Sequence, residues 1–110
     1  MVYAKTNLFN DQLQETARLF KALAHPARLQ IIQYLAETRS CITGDISEHL
    51  PLSRTTVNQH LAELKVAGLI IGTVKGAKTN YCLNPQSVRK LKKLANEFLA
   101  GIECNSILNC

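Results

Sequence analysis

From Ser53 to Lys65 the chain carries Ser53, Arg54, Thr55, Asn58, Gln59 and Lys65 among apolar positions. A solvated helix face is ordinarily rich in Glu and Lys. Thr, Asn, Gln and Arg are instead the donors and acceptors suited to base edges in a major groove. The chemistry they offer is recognition rather than turnover. No nucleophile, general base and orienting group are grouped along the sequence, and it has no phosphate-binding glycine loop, which speaks against an enzyme.

The second chemistry is sulfur. The four cysteines, Cys41, Cys82, Cys104 and Cys110, stand outside any Cys-x-x-Cys pair, so no zinc knuckle or thioredoxin-type site is encoded locally. In a reducing compartment such residues are free thiols, metal ligands or redox sensors before they are a disulfide framework.

The polar residues need a helix to present them. Stepping about 100° per residue from Val57 brings Leu61 and Leu64 close to it as one apolar stripe. Thr55 and Gln59 then lie opposite, with Arg54, Asn58 and Lys65 on one flank. Ser53 is the expected N-cap and Gly68 the left-handed C-cap. A short helix from about Thr43 to Leu50, with Ile46 and Leu50 inward, ends at Pro51. Joined through Leu50-Pro51-Leu52-Ser53, the two make a helix-turn-helix over about 43–67. His49 falls on an exposed flank, solvated or facing phosphate.

From Leu69 the pattern turns strand-like. Two β-branched or aromatic runs flank Lys75-Gly76-Ala77-Lys78, which predicts a β-hairpin over about 69–83. Its basic tip makes it a wing, with Lys75 and Lys78 placed for backbone phosphates.

Two longer helices flank this unit. The first, about 7–23, repeats Phe9, Leu13, Ala17, Phe20 and Ala24 on one face and carries Leu8, Leu19 and Leu23 as a second apolar edge. Asn84-Pro85 opens the last, about 85–101, whose stripe is Val88, Leu91, Ala95, Phe98 and Ile102 with Leu94 and Leu99 beside it. That is more apolar surface than one domain needs to cover. These helices are therefore expected to pair two copies of the chain through Phe9, Leu13, Phe20, Leu91, Leu94, Phe98 and Ile102. Between them Pro26 opens a core helix to Glu37, apolar almost all round, with His25 as a structural turn residue.

The 110 residues thus predict a single domain over 1–110. Its class is mainly α with a small β-hairpin, in the order helix, helix, helix, helix, hairpin, helix: a winged helix-turn-helix.

Charge is distributed to match. Residues 1–50 hold five basic and five acidic side chains, residues 51–93 eight basic against Glu63, and residues 94–110 two acidic. The net +5 therefore arises in and after the helix-turn-helix, the electrostatic footprint of a polyanion binder. The apolar runs are too short to span a membrane, and the N-terminus lacks a signal-peptide pattern. Nucleic acid is then the expected polyanion and the cytoplasm the expected address.

Three segments carry a resemblance to a known family. Lys21-Ala22-Leu23-Ala24-His25-Pro26-Ala27-Arg28-Leu29 opens the core helix, Leu52-Ser53-Arg54-Thr55-Thr56-Val57-Asn58-Gln59-His60-Leu61 forms the candidate recognition helix, and Leu64-Lys65-Val66-Ala67-Gly68-Leu69-Ile70 leaves it. In that order and spacing the chain resembles the ArsR family of arsenic- and metal-sensing repressors over nearly its whole length. The resemblance implies a homodimer that binds double-stranded operator DNA and needs no cofactor. It implies release when a metal, metalloid or oxidant fills a sensor site. Ser53, Arg54, Thr55, Asn58, Gln59 and His60 correspond to the DNA-facing end of the recognition helix. Most relatives have Gln where Arg54 stands and Ser-His where Asn58-Gln59 stand, so operator preference is expected to differ. His60 lies beside the apolar stripe, where a packing imidazole with one nitrogen towards phosphate is expected.

The sensor departs from the family's pattern. Arsenic-responsive relatives often place Cys-x-Cys before the turn, but here Cys41 is followed by Thr43 at the second position. Zinc-sensing relatives use Asp, His and Glu on the last helix, and this sequence has no histidine after His60. The thiols leave several readings open. Cys41 joins Cys104 or Cys110 in a site for arsenite or a soft metal ion; Cys104 and Cys110 make a C-terminal site; or a pair forms a regulatory disulfide or polysulfide bridge. Against these, Cys82 is a small buried hydrophobe and the rest are incidental. The rival to a DNA-binding repressor is a winged-helix protein-interaction module whose basic face meets an acidic partner.

Overall fold

Cap chemistry sets the ends of the helices. In this computed structural model, which describes residues 8–38, 41–43, 46–76 and 78–103, α1 spans Asp11–Leu23 and starts where Asn10 Oδ1 accepts from the Leu13 amide at 2.8 Å. α2 runs Pro26–Thr38, with the His25 ring as its N-terminal acceptor: the Ala27 amide donates to His25 Nδ1 at 3.0 Å. Helix α3 spans Arg54–Val66 behind the Ser53 cap. Finally α4 spans Pro85–Ile102, its first amides, those of Gln86 and Ser87, donating to Asn84 Oδ1.

The element before α3 differs from the expected α-helix at 43–50. Thr43 belongs to a two-residue strand, β1 (Ile42–Thr43), and Ile46–His49 forms one 3₁₀ turn. Pairing draws Thr43 opposite Asn80, so the chain is extended where the helix was expected to begin, and Pro51 bounds the segment on the other side. The hairpin strands are β2 (Ile70–Lys75) and β3 (Lys78–Leu83), and β1 adds to β3, giving an antiparallel three-stranded sheet in the order β1-β3-β2.

One core joins these pieces. Leu19 and Ala22 of α1, Ile31 and Leu35 of α2, Ile46 and Leu50, Val57, Leu61 and Leu64 of α3, and Leu69 and Ile70 are buried together. The core helix α2 is less apolar-sided than expected: Ala27, Ile31 and Leu35 are buried at intervals of four, while Leu29 is half exposed. Among the described residues no buried side-chain nitrogen or oxygen lacks a hydrogen-bond partner. No helix among them is long and apolar enough to cross a membrane.

Candidate nucleic-acid interface

Helix α3 is fixed from behind and open in front. Val57, Leu61 and Leu64 anchor its back in the core, while Ser53, Arg54, Thr55, Asn58, Gln59 and Lys65 are exposed. Ser53 Oγ accepts from the Thr56 amide at 3.3 Å and donates to Thr56 Oγ1 at 3.0 Å, closing the N-terminal turn just where the polar face begins.

His60 does not belong to that face. It is 8% exposed, its ring lies 4.3 Å from that of His25, and its Nδ1 accepts from Arg28 Nε at 3.1 Å. Burial first, then the charges of His25 and Arg28, hold its pKa below the usual imidazole value. The same Arg28 donates through Nη1 to the carbonyl of Ala22 at 3.2 Å, so one guanidinium joins the end of α1 to the middle of α3. This explains why His25 and Arg28 sit together in the segment opening α2. A lone arginine in an otherwise apolar helix start is the signal for it in the sequence. His49, exposed as expected, stacks on Tyr34 with ring centroids 4.9 Å apart.

The C-terminus of α3 turns directly into the wing. Gly68 has φ 82°, Leu69 N–H donates to Leu64 O at 3.1 Å and Gly68 N–H to Lys65 O at 3.0 Å, the paired bonds of a Schellman cap. Arg18 Nη1 donates to the Ala67 carbonyl at 2.9 Å, placing a cation at the negative end of the helix. Asn84 then ties the base of the wing: its Nδ2 donates to Gly68 O at 3.1 Å and its backbone N–H to Leu69 O at 2.9 Å.

Lys65 crosses from α3 to the hairpin. A Cβ at Gly72 would stand 3.4 Å from Lys65 Nζ and 3.3 Å from Tyr81 Cε1, so the bare backbone there admits both side chains. Glycine inside a strand marks such a close approach. At the tip the backbones of Lys75 and Lys78 form the last pair of the hairpin. Gly76 between them has φ 63°, the left-handed conformation a tight hairpin needs.

Sulfur is arranged differently from the Cys41, Cys104 and Cys110 set. Cys41 forms a disulfide with Cys82, their Cα atoms 4.4 Å apart. Cys104 and Cys110 lie outside the described residues. Cys82, a buried hydrophobe in one of the open readings, is partly exposed in β3 and absent from the core. The pairing is hidden in the sequence because it depends on β1, a strand too short to show any periodicity. Two sulfurs joined to each other leave no thiolate for arsenite, so this pair in its bonded state does not fit a soft-metal centre. Among the described residues no group of three or more His, Cys, Asp or Glu could hold a metal ion.

Along α1 and α4 an apolar surface is left open. Phe9, Leu13, Phe20, Phe98 and Ile102 are all exposed, from 36% at Phe20 to 62% at Ile102, and Phe20 meets Phe98 edge-on at 5.9 Å. Leu91 and Leu94 differ from that set. They are partly buried against the protein's own core, because the inward stripe of α4 passes through them. Gln12 donates to Glu97 at 2.7 Å across the two helices, and Glu15 takes both Arg18 and Lys90. Those hydrogen bonds, with Arg18 the larger contributor, lower the Glu15 pKa to about 2.

A capped helix with an exposed polar face, a preceding turn and a following hairpin define a winged helix-turn-helix regulator. The comparisons with known proteins agree. Residues 25–71 match the family of bacterial regulatory proteins called the arsR family. The chain is 36% identical over 85 residues to the HTH-type transcriptional regulator CmtR of Mycobacterium tuberculosis, covering 76% of this chain and 71% of that one. It is 31% identical over 84 residues to the transcriptional repressor PagR of Bacillus anthracis, covering 76% and 84%. The solved structure of HlyU from Vibrio cholerae superposes with a TM-score of 0.66 at 27% identity, covering 84% of this chain and 99% of that one. The chain belongs to the ArsR family. It is a DNA-binding transcriptional regulator, not an enzyme.

Proposed function

We propose that the chain represses transcription as a homodimer that sets two α3 helices into successive major grooves of an inverted-repeat operator. The observation that carries this is the division of α3. Its apolar side is locked into the core, while Arg54, Thr55, Asn58 and Gln59 stand exposed beyond the Ser53 cap. Thr55, Asn58 and Gln59 face base edges, Arg54 and Lys65 face the flanking backbone, and the wing's Lys75 and Lys78 take phosphates. His60 acts from within by holding α3 against Arg28 rather than by touching DNA.

The exposed Phe9, Leu13, Phe20, Phe98 and Ile102 surface is the dimer contact in this reading, with Leu91 and Leu94 supporting it from the core side. Release of the operator acts through sulfur. The sequence points first to arsenite or a soft metal at Cys41, Cys104 and Cys110; the bonded Cys41 and Cys82 favour a thiol redox signal instead.

The test is binding, at fixed salt, to the DNA upstream of the chain's own gene and to scrambled DNA of the same length. A repressor prefers the upstream fragment by a factor on the order of 10³ or more. A protein-interaction module shows no preference, and that result would remove the operator reading.

A further inference from the structure

The disulfide lies where it can govern the interface. β1 pairs with β3 in the register Ile42 to Tyr81 and Thr43 to Asn80, and one step back along that register sets Cys41 opposite Cys82. The 4.4 Å between their Cα atoms is the close spacing of a non-hydrogen-bonded antiparallel pair. Cys82 is in the middle strand of the sheet, with Ile71 of β2 on its other side. The bond therefore fastens the chain leading into the helix-turn-helix to the strand that carries the wing.

The ring it closes encloses the whole candidate interface. A separation of 41 residues takes in the 3₁₀ turn, all of α3, β2 and the hairpin tip, and so every residue from Ser53 to Lys78 assigned to DNA above. Without the bond, β1 holds β3 among the described residues through two residue pairs. Cys41 is exposed and Cys82 half-buried, so reagents reach the pair from the Cys41 side. A protein that works on chromosomal DNA meets dithiol reductants there, and a disulfide in that setting is a switch rather than a fixture.

We infer that Cys41 and Cys82 form a reversible dithiol–disulfide couple, oxidised by peroxide and reduced by a dithiol, whose bonded state is the one that binds the operator tightly. The inference rests on the operator reading. In the forward step the Cys41 thiolate attacks one peroxide oxygen, the O–O bond breaks, and water leaves after protonation. Cys82 then attacks the Cys41 sulfenic sulfur, the S–O bond breaks, and a second water leaves. Two thiols have lost two electrons and peroxide has gained them. In the reverse step a dithiol attacks the exposed Cys41 sulfur and Cys82 leaves as thiolate. The dithiol's second sulfur then displaces Cys41, returning two electrons and two protons. The bond acts by arranging α3 and the wing together before DNA arrives, so that less order must be imposed on binding.

The experiment compares full-length protein oxidised by hydrogen peroxide with the same protein reduced by dithiothreitol. Peptide mass mapping identifies the bonded cysteines, and binding to the upstream DNA gives the affinities. Oxidation should join Cys41 to Cys82, and reduction should weaken binding at least ~5-fold, the low end of ordinary coupling between two sites. A Cys41→Ser, Cys82→Ser protein should bind like the reduced form and ignore both reagents. Hydrogen exchange at Tyr81, whose N–H faces β1 in that register, should quicken on reduction whatever the DNA does. Equal affinities of the two states, a bond from Cys41 to Cys104 or Cys110, or unchanged exchange would each overturn the inference. Loss of site preference in both states, with mapping and exchange as expected, would instead overturn the operator reading and the regulatory half of the inference with it.

Discussion

Arg28 Nε donates to His60 Nδ1 at 3.1 Å, across the junction between the helix that begins at Pro26 and the helix that presents Gln59. The bond fixes the acceptor nitrogen of a buried imidazole one residue away from the exposed polar face. Replacing Arg28 with Ala leaves that nitrogen and the Ala22 carbonyl without this donor. The loss should destabilise the fold by about 1–3 kcal/mol, read as a lower urea midpoint with unchanged slope. Arg28→Lys should recover only part of it, since one ammonium cannot reproduce the planar fork that serves both acceptors.

The same imidazole sets a pH dependence. Its folded pKa lies below the unfolded value of about 6.5, so its contribution is complete above that pH. As pH falls below 6.5 the unfolded chain takes a proton that the folded one refuses, and stability drops until the folded pKa is passed. Stability should fall through that window, and the fall should flatten in His60→Gln. Glu15, with its pKa lowered to about 2, loses its contribution only in the separate window from its ordinary value of 4.5 down to about 2. Urea midpoints between about pH 8 and about pH 5 therefore keep Glu15 out of the window, and the difference between the parent chain and His60→Gln assigns the effect to His60.

Gly68 couples α3 to the wing through backbone conformation alone. At φ 82° any L side chain is strained, while a Cβ there meets nothing nearer than Ser87 Oγ at 3.7 Å. Gly68→Ala should thus lower stability by about 1 kcal/mol without loss of folding. Thermal unfolding checks the size. If the cap also aims the wing, affinity for all DNA sequences should fall together.

The elements that local chemistry announces are legible in the sequence. Pro26, Asn84-Pro85, Ser53 and Gly68 each act on their immediate neighbours, and they bound the helices in the structure. The exposed polar face of α3 follows from angular spacing, since a helix has one period and the apolar stripe fixes its back. What escapes depends on partners distant in sequence. β1 is a strand because β3 is beside it, and that pairing takes Thr43 out of the expected helix. Cys82 finds Cys41 through that same register. His60 is legible as a packing residue beside the apolar stripe, but its partners Arg28 and His25, from another helix junction, are not.

The apolar face shared by α1 and α4 makes its own prediction. Phe98 is 39% exposed and packs edge-on to Phe20, so Phe98→Glu is tolerated by the folded monomer but puts a charge into the proposed dimer contact. Sedimentation equilibrium should show the parent chain as a dimer and the variant as a folded monomer. A variant that remains dimeric would move the dimer contact away from these helices.

The central claim is that α3 reads base sequence while the wing holds the backbone. It is tested most directly by measuring Gln59→Ala and the double variant Lys75→Ala, Lys78→Ala on cognate and random DNA over a range of salt. Gln59→Ala should lose about 1–3 kcal/mol at the cognate site and almost nothing on random DNA. The lysine variant should weaken both alike and flatten the salt slope by about 0.9 for each phosphate that the wing no longer neutralises. Equal losses on cognate and random DNA for Gln59→Ala would contradict base reading by this helix.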